Sequence, residues 1–169
     1  MKRHVFSKVL NLISKENNEI FSMARLLPKR SLLKVPLYID DGETYKNSSH
    51  WKRIKFKQNN SVTDSRDWAP MDLNGNVIKK KNLNIELKQK DVEEISNFVR
   101  NNSYALENLG VGDNFDFTDF QNILIPGGEP ASEEQKTELR RKVDEFLNSN
   151  EWIKYEKLKG VINNSSFFY

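Results

Sequence analysis

The chain contains no cysteine and only two histidines. The first absence excludes disulfides, thiolate nucleophiles and zinc sites built on sulfur, although it does not fix a redox compartment. The second leaves little material for imidazole chemistry. His4 lies at the terminus, where a solvated side chain is the simplest reading. His50 follows Ser48-Ser49, but neighbours in sequence do not make a nucleophile and base, because that constellation is three-dimensional. No nucleophile-elbow motif is present. No apolar run approaches the roughly 20 residues of a membrane span. Internal repeats and low-complexity linkers are missing as well. The start, MKRHVFSKVLNLIS, imitates a signal peptide, but Lys8 interrupts its apolar stretch and no small-residue cleavage site follows, so it reads as a mature N-terminal helix.

What the chain has is charge. Lys, Arg, Asp and Glu make up 30% of 169 residues, against 37% hydrophobic residues. That length suits one domain with a compact core, or one domain with an appendage. The net charge of +3 hides an asymmetry: residues 1–60 hold 13 Lys/Arg against 5 Asp/Glu, and residues 91–169 hold 8 against 15. The front is basic and the back acidic, with the 61–90 segment close to balance. Asn and Lys are abundant and alanine is confined to four positions. Such usage follows AT-rich codons and bears on the source rather than on the fold.

The periodicities predict an α+β fold. Val5, Phe6, Val9, Leu12 and Ile13 have helical spacing, and Ile20, Phe21, Ala24 and Leu27 suggest a second short helix over 18–27, closed by Pro28. Residues 1–30 therefore read as an N-terminal helical segment, and 31–169 as a single domain with its sheet in 31–88 and helices in 89–160. Four strands are expected between residues 32 and 87. In SLLKVPLYIDDG, Leu33, Val35, Leu37 and Ile39 alternate, and Pro36 argues for an edge or a bulge. In HWKRIKFKQNN, Ile54 and Phe56 face one way. MDLNGNVI carries Asn74-Gly75, a strong hairpin signal, and LNIEL aligns Leu83, Ile85 and Leu87. Further on, Val92, Ile95, Phe98 and Val99 mark a helix, as do Leu139, Val143, Phe146 and Leu147. Trp152, Ile153, Tyr155 and Leu158 suggest a last short helix stopped by Gly160.

Two stretches imitate catalytic or metal motifs. IPGGEPASEEQ places Gly127-Gly128 ahead of a helix, but no Lys follows until Lys136, and Glu129, Glu133 and Glu134 would repel a phosphate. Ser132 with Gln135 makes a capping box instead. Asp113, Asp116 and Asp119 lack the alternate spacing of a calcium loop, since Phe115 and Phe117 intervene. Thr118 with Gln121 there reads as a second capping box. Paired carboxylates of the glycosidase kind depend on spatial separation and stay open at this level.

The binding candidates lie elsewhere. Trp51, Arg53, Lys55 and Lys57 share one face of their strand, with Lys79, Lys80 and Lys81 on a neighbouring hairpin and Tyr45 and Trp68 close by. Positive charge interleaved with aromatics suits a single-stranded nucleic acid. It also suits a protein interface anchored by Trp and Arg, or a solvated face whose lysine stems cover apolar surface. Phe167, Phe168 and Tyr169 make an apolar terminus that either closes the core or docks elsewhere. The expectation drawn from all this is a non-enzymatic assembly subunit without cofactor or metal. It would be a homo-oligomer or a component of a larger particle, joined through complementary basic and acidic surfaces and away from membranes. A phage virion component such as a connector, ring or tail accessory protein has this general character; outside a virion the expected place is the cytoplasm. The alternative is a nucleic-acid-binding module using the basic strand face.

Overall fold

A computed structural model describes residues 23–40, 52–64, 67–110 and 114–149. Within these, four short strands, β1 (Met23–Leu26), β2 (Leu37–Asp40), β3 (Arg53–Phe56) and β4 (Ala69–Asp72), form one antiparallel sheet in the order β1-β2-β3-β4. A one-turn helix, α1 (Pro28–Ser31), joins the first two. Four more helices follow: α2 (Gln89–Asn101), α3 (Ser103–Asn108), α4 (Phe117–Ile123) and α5 (Glu133–Leu147). The fold is α+β, with the expected number of strands and a C-terminal helical part.

The membership of the sheet differs from the sequence reading at both ends. The helix expected over 18–27 is instead β1 from Met23 onward. Pro28 forces the preceding residue into extended geometry, and Leu27 has φ −83° and ψ 152°. Ala24 and Leu26 then pair with Ile39 and Leu37 on the core face. Cross-strand packing of this kind outweighs a short helical periodicity. Pro36 sits just before β2 and costs no ladder bond there, so β2 runs inside the sheet and not at its edge. The proline within a strand is Pro70, on edge strand β4, and its carbonyl accepts from Ile78 N–H at 2.9 Å, away from β3. Its missing N–H would point the same way, which is why the edge tolerates it.

LNIEL is not a strand. Its backbone is claimed by two amide side chains: Gln58 Oε1 accepts from Asn84 N–H at 2.8 Å, and Asn59 Nδ2 donates to Asn84 C=O at 2.7 Å. One backbone bond, Glu86 N–H to Gln58 C=O at 2.9 Å, completes the attachment. Leu83, Ile85 and Leu87 still pack against the core, half-buried. The Asn74-Gly75 turn forms, with Gly75 at φ 83°. Asp72 Oδ1 accepts from both Asn74 and Asn76 N–H at 2.9 Å, but the returning limb makes only a bridge between Val77 and Met71.

One core unites the sheet with the helices. Leu26, Leu37, Ile39, Ile54, Phe56, Ala69 and Met71 supply the sheet side, and Ile95, Phe98, Val99, Phe120, Leu139 and Val143 supply the helices. The stripes read for α2 and α5 therefore face inward, although Val92, Phe146 and Leu147 are only partly covered. Full burial of such a side chain stabilises by about 1.5–3 kcal/mol. Among the described residues, both helix N-termini with side-chain caps are capping boxes. Ser132 with Gln135 opens α5 as expected. At α4 the pair is Asp116 with Asp119 and not Thr118 with Gln121, because the helix starts two residues earlier. The first helix, the last short helix and the aromatic terminus lie outside the described residues.

The joint before α5 is held by asparagines. Asn97 Nδ2 donates to Gly128 C=O at 2.9 Å, and Asn101 binds Glu129 C=O at 2.7 Å and Ala131 N–H at 2.9 Å. Asn102 is fully buried and spans Ile125, accepting from its N–H at 2.8 Å and donating to its C=O at 2.9 Å. The loop lies so close to α2 that a Cβ on Gly128 would come within 2.3 Å of Glu94 Cβ. Glycine is needed there for contact with a helix.

Candidate interaction surface

Strand β3 carries the cations singled out in the sequence, and its alternation puts Arg53 and Lys55 on the sheet face opposite the core. Across that face run Arg25, Tyr38, Lys55 and Pro70 in register, with Arg53 directly opposite Asp72. The face is not open. Lys55 is only 2% exposed, and Trp68 packs on Tyr38 with ring centroids 4.6 Å apart. Arg53 and Lys57 are half-buried. Lys79, Lys80 and Lys81 are exposed on the segment after the hairpin. Trp51, Tyr45, Phe167, Phe168 and Tyr169 lie outside the described residues. The expected row of aromatic and basic side chains is thus partly packed away, with a carboxylate facing Arg53.

Lys52, next to this strand, was not singled out, yet it is 2% exposed and reaches the end of α3. Its ammonium donates to the carbonyls of Leu106 at 3.5 Å, Glu107 at 3.2 Å and Leu109. These oxygens have no partner within the helix, and a cation there also meets the negative end of the helix dipole. Lys52 therefore pins α3 to the sheet. The signal in the local sequence is parity: Lys52 alternates with the core residues Ile54 and Phe56, whereas Lys55 and Lys57 fall on the other face.

The motifs that imitate chemistry have structural roles. Asp116 and Asp119 spend a carboxylate oxygen each on the α4 cap. Asp113, His4 and His50 are outside the described residues. Among the described residues no group of three His, Cys, Asp or Glu side chains is placed to hold a metal ion, and no helix is long and apolar enough to cross a membrane. On α5, Tyr104 from α3 donates to Asp144, and Arg140 lies 4.7 Å from its ring centroid. The bond to Asp144, then burial and the carboxylate's charge, raise the Tyr104 phenol above its ordinary value.

A surface the sequence did not reveal lies around α1. Leu27 and Leu32 flank this single turn and are 41% and 67% exposed, large values for leucine in a chain this polar. Leu32 also has φ 59°, a left-handed conformation that costs a non-glycine residue about 1–2 kcal/mol. It forms the C-cap, with its N–H bound to Pro28 C=O at 2.7 Å. Exposed Lys29 and Arg30 stand between the two leucines. The Ser31 carbonyl then accepts from Gly127 N–H at 2.7 Å, which ties the turn to the joint before α5. Beside that joint is an open groove of about 380 Å³. Ile123, Leu124, Ile125, Pro126 and Leu139 give it an apolar floor, and Glu134, Gln135, Glu138 and Lys142 a polar rim. Comparison with known proteins finds no family model, curated protein or solved structure that matches the chain.

Proposed function

We propose that this protein is a non-enzymatic assembly subunit that works by surface contact with other protein chains. The observation that carries the reading is the α1 turn. An exposed leucine in a strained left-handed conformation, beside a second exposed leucine and two cations, is what an anchor looks like before its partner arrives. The charge layout of the sequence supports it, because a basic front and an acidic back supply opposite charges for contact between copies or partners. Nucleic-acid binding draws less support from this geometry, since Lys55 is buried and Arg53 faces Asp72.

The test is the mass of the purified full chain in low and high salt, by light scattering and sedimentation. A defined assembly that loosens with salt is expected. A monodisperse monomer in low salt at the highest attainable concentration would overturn the reading. Affinity for a single-stranded oligonucleotide that falls steeply with salt would transfer it to the nucleic-acid alternative.

A further inference from the structure

The α1 turn and the groove beside α5 have matching chemistry. The turn offers two exposed leucines and, in Lys29 and Arg30, two exposed cations. The groove offers an apolar floor and a rim on which Glu134 is an exposed carboxylate, with exposed Glu129 on the approach. Glu138 on the same rim is engaged by Arg141 at 2.8 Å, and Lys142 is a cation among the lining residues. The acid available to a partner is therefore at the joint end of the groove, around Glu129 and Glu134.

The turn and the groove are also joined. Ser31 of the turn binds Gly127 at 2.7 Å, one residue beyond Pro126 of the groove wall. A protrusion and a recess this close together in the fold suit an isologous contact, in which a two-fold axis seats each turn in the other copy's groove.

We infer that the occupant of this groove is the Leu27–Leu32 turn of a second copy of this chain, in a two-fold dimer. Leu32 supplies the apolar anchor, and Lys29 and Arg30 meet Glu134 and Glu129 of the other copy. The inference rests on the assembly reading and gives it a partner and a geometry. It also gives the strain at Leu32 a role. A glycine there would relieve the backbone but would remove the anchor.

The experiment is sedimentation equilibrium of the full chain and four variants, with circular dichroism to confirm folding. Wild type is expected to form dimers and nothing larger. Leu32→Asp, at an exposed position, is expected to weaken the dimer at least about tenfold. Glu134→Lys is expected to weaken it as well, and combining it with Lys29→Glu and Arg30→Glu should restore association by exchanging the charges. Leu32→Gly should raise the melting temperature while weakening the dimer, an outcome that a merely structural leucine would not give. A wild-type ring or open-ended array overturns the two-fold geometry. An oligomer indifferent to Leu32→Asp and Glu134→Lys overturns the inference while leaving the wider assembly reading in place. A chain that is monomeric throughout overturns both.

Discussion

Lys52 and Lys55 on one side, and Lys79 and Lys81 on the other, look alike in sequence: lysines in basic stretches of the same polar chain. In the structure the first two are 2% exposed and the second two are on the surface. Lys52 satisfies helix-end carbonyls in the interior, whereas Lys79 and Lys81 contribute charge to solvent. A basic stretch is thus not by itself a basic surface. A lysine's role is set by whether its chain direction leads to unsatisfied oxygens or to water, and one-dimensional sequence does not say which.

The sharpest way to break this contrast is to remove Lys52. Lys52→Ala would leave the carbonyls of Leu106, Glu107 and Leu109 without their cation. It would also open a void where the buried stem lies. Hydrogen bonds to charged groups contribute about 1.5–3 kcal/mol, and buried acceptors left unmade add to the cost. The expected loss is about 3 kcal/mol in urea unfolding, a large share of the stability of a small domain. A loss below about 0.5 kcal/mol, the scale of an ordinary surface change, would mean that Lys52 behaves as a surface residue.

The same distinction decides how much of the molecule was legible. The α+β class, the Asn74-Gly75 turn, the core stripes of α2 and α5 and the Ser132 cap follow from local chemistry, and all of these form. The failures share a cause, which is that a distant partner competes for the same backbone. β1 was hidden because Ala24 and Leu27 fit a helical face with Ile20 and Phe21, and only the pairing of Ala24 and Leu26 with Ile39 and Leu37 selects the strand. LNIEL alternates like a strand, but Gln58 and Asn59 hold its backbone from a separate segment. The α1 turn was invisible for a different reason. Neither the left-handed φ of Leu32 nor the exposure of two leucines is written in residue type; apolar residues next to Pro28 read equally well as core. The basic strand face was legible as charge but not as burial.

Gly128 extends the comparison from side chains to the backbone. Its neighbour Gly127 has a positive φ of 88° and open space where a Cβ would go, whereas Gly128 faces Glu94. Gly128→Ala forces a methyl to within 2.8 Å of Glu94 Cα, so α2 or the loop must move. The asparagine bonds to Gly128, Glu129 and Ala131 oppose that movement. A destabilisation of about 2 kcal/mol is expected from such overpacking, measured by thermal unfolding. If Gly128→Ala unfolds at the wild-type temperature, the joint is not clamped as described.

Tyr104 tests a milder case, a polar contact that is only partly covered. Its phenol is raised by the bond to Asp144, by burial and by that carboxylate's charge, while Arg140 opposes the rise. A raised phenol binds its proton more tightly in the folded chain than in the unfolded one. The stabilisation is therefore complete below the unfolded value of about 10 and is lost as pH rises through the folded value. Unfolding followed from pH 9 into the alkaline range should show wild type losing stability faster than Tyr104→Phe. At neutral pH the substitution should cost less than about 1 kcal/mol, because solvent screens a contact this exposed. Parallel alkaline curves would show that the bond to Asp144 does not persist in solution.

The smallest expected effect completes the contrast with Lys52. Lys79→Ala with Lys81→Ala removes two exposed cations, and a change within about 0.5 kcal/mol in stability is expected, since surface substitutions away from specific contacts rarely do more. The double variant is still informative because it separates charge from structure. If assembly runs through the α1 turn, the dimer should survive this change and still respond to Leu32→Asp. If the two lysines instead steer a polyanion, oligonucleotide affinity should fall and its salt dependence should flatten, by roughly one unit of slope for each phosphate that is no longer neutralised. A sizeable stability loss in this variant would erase the difference between the two lysine groups, because exposed lysines would then support the fold as Lys52 does.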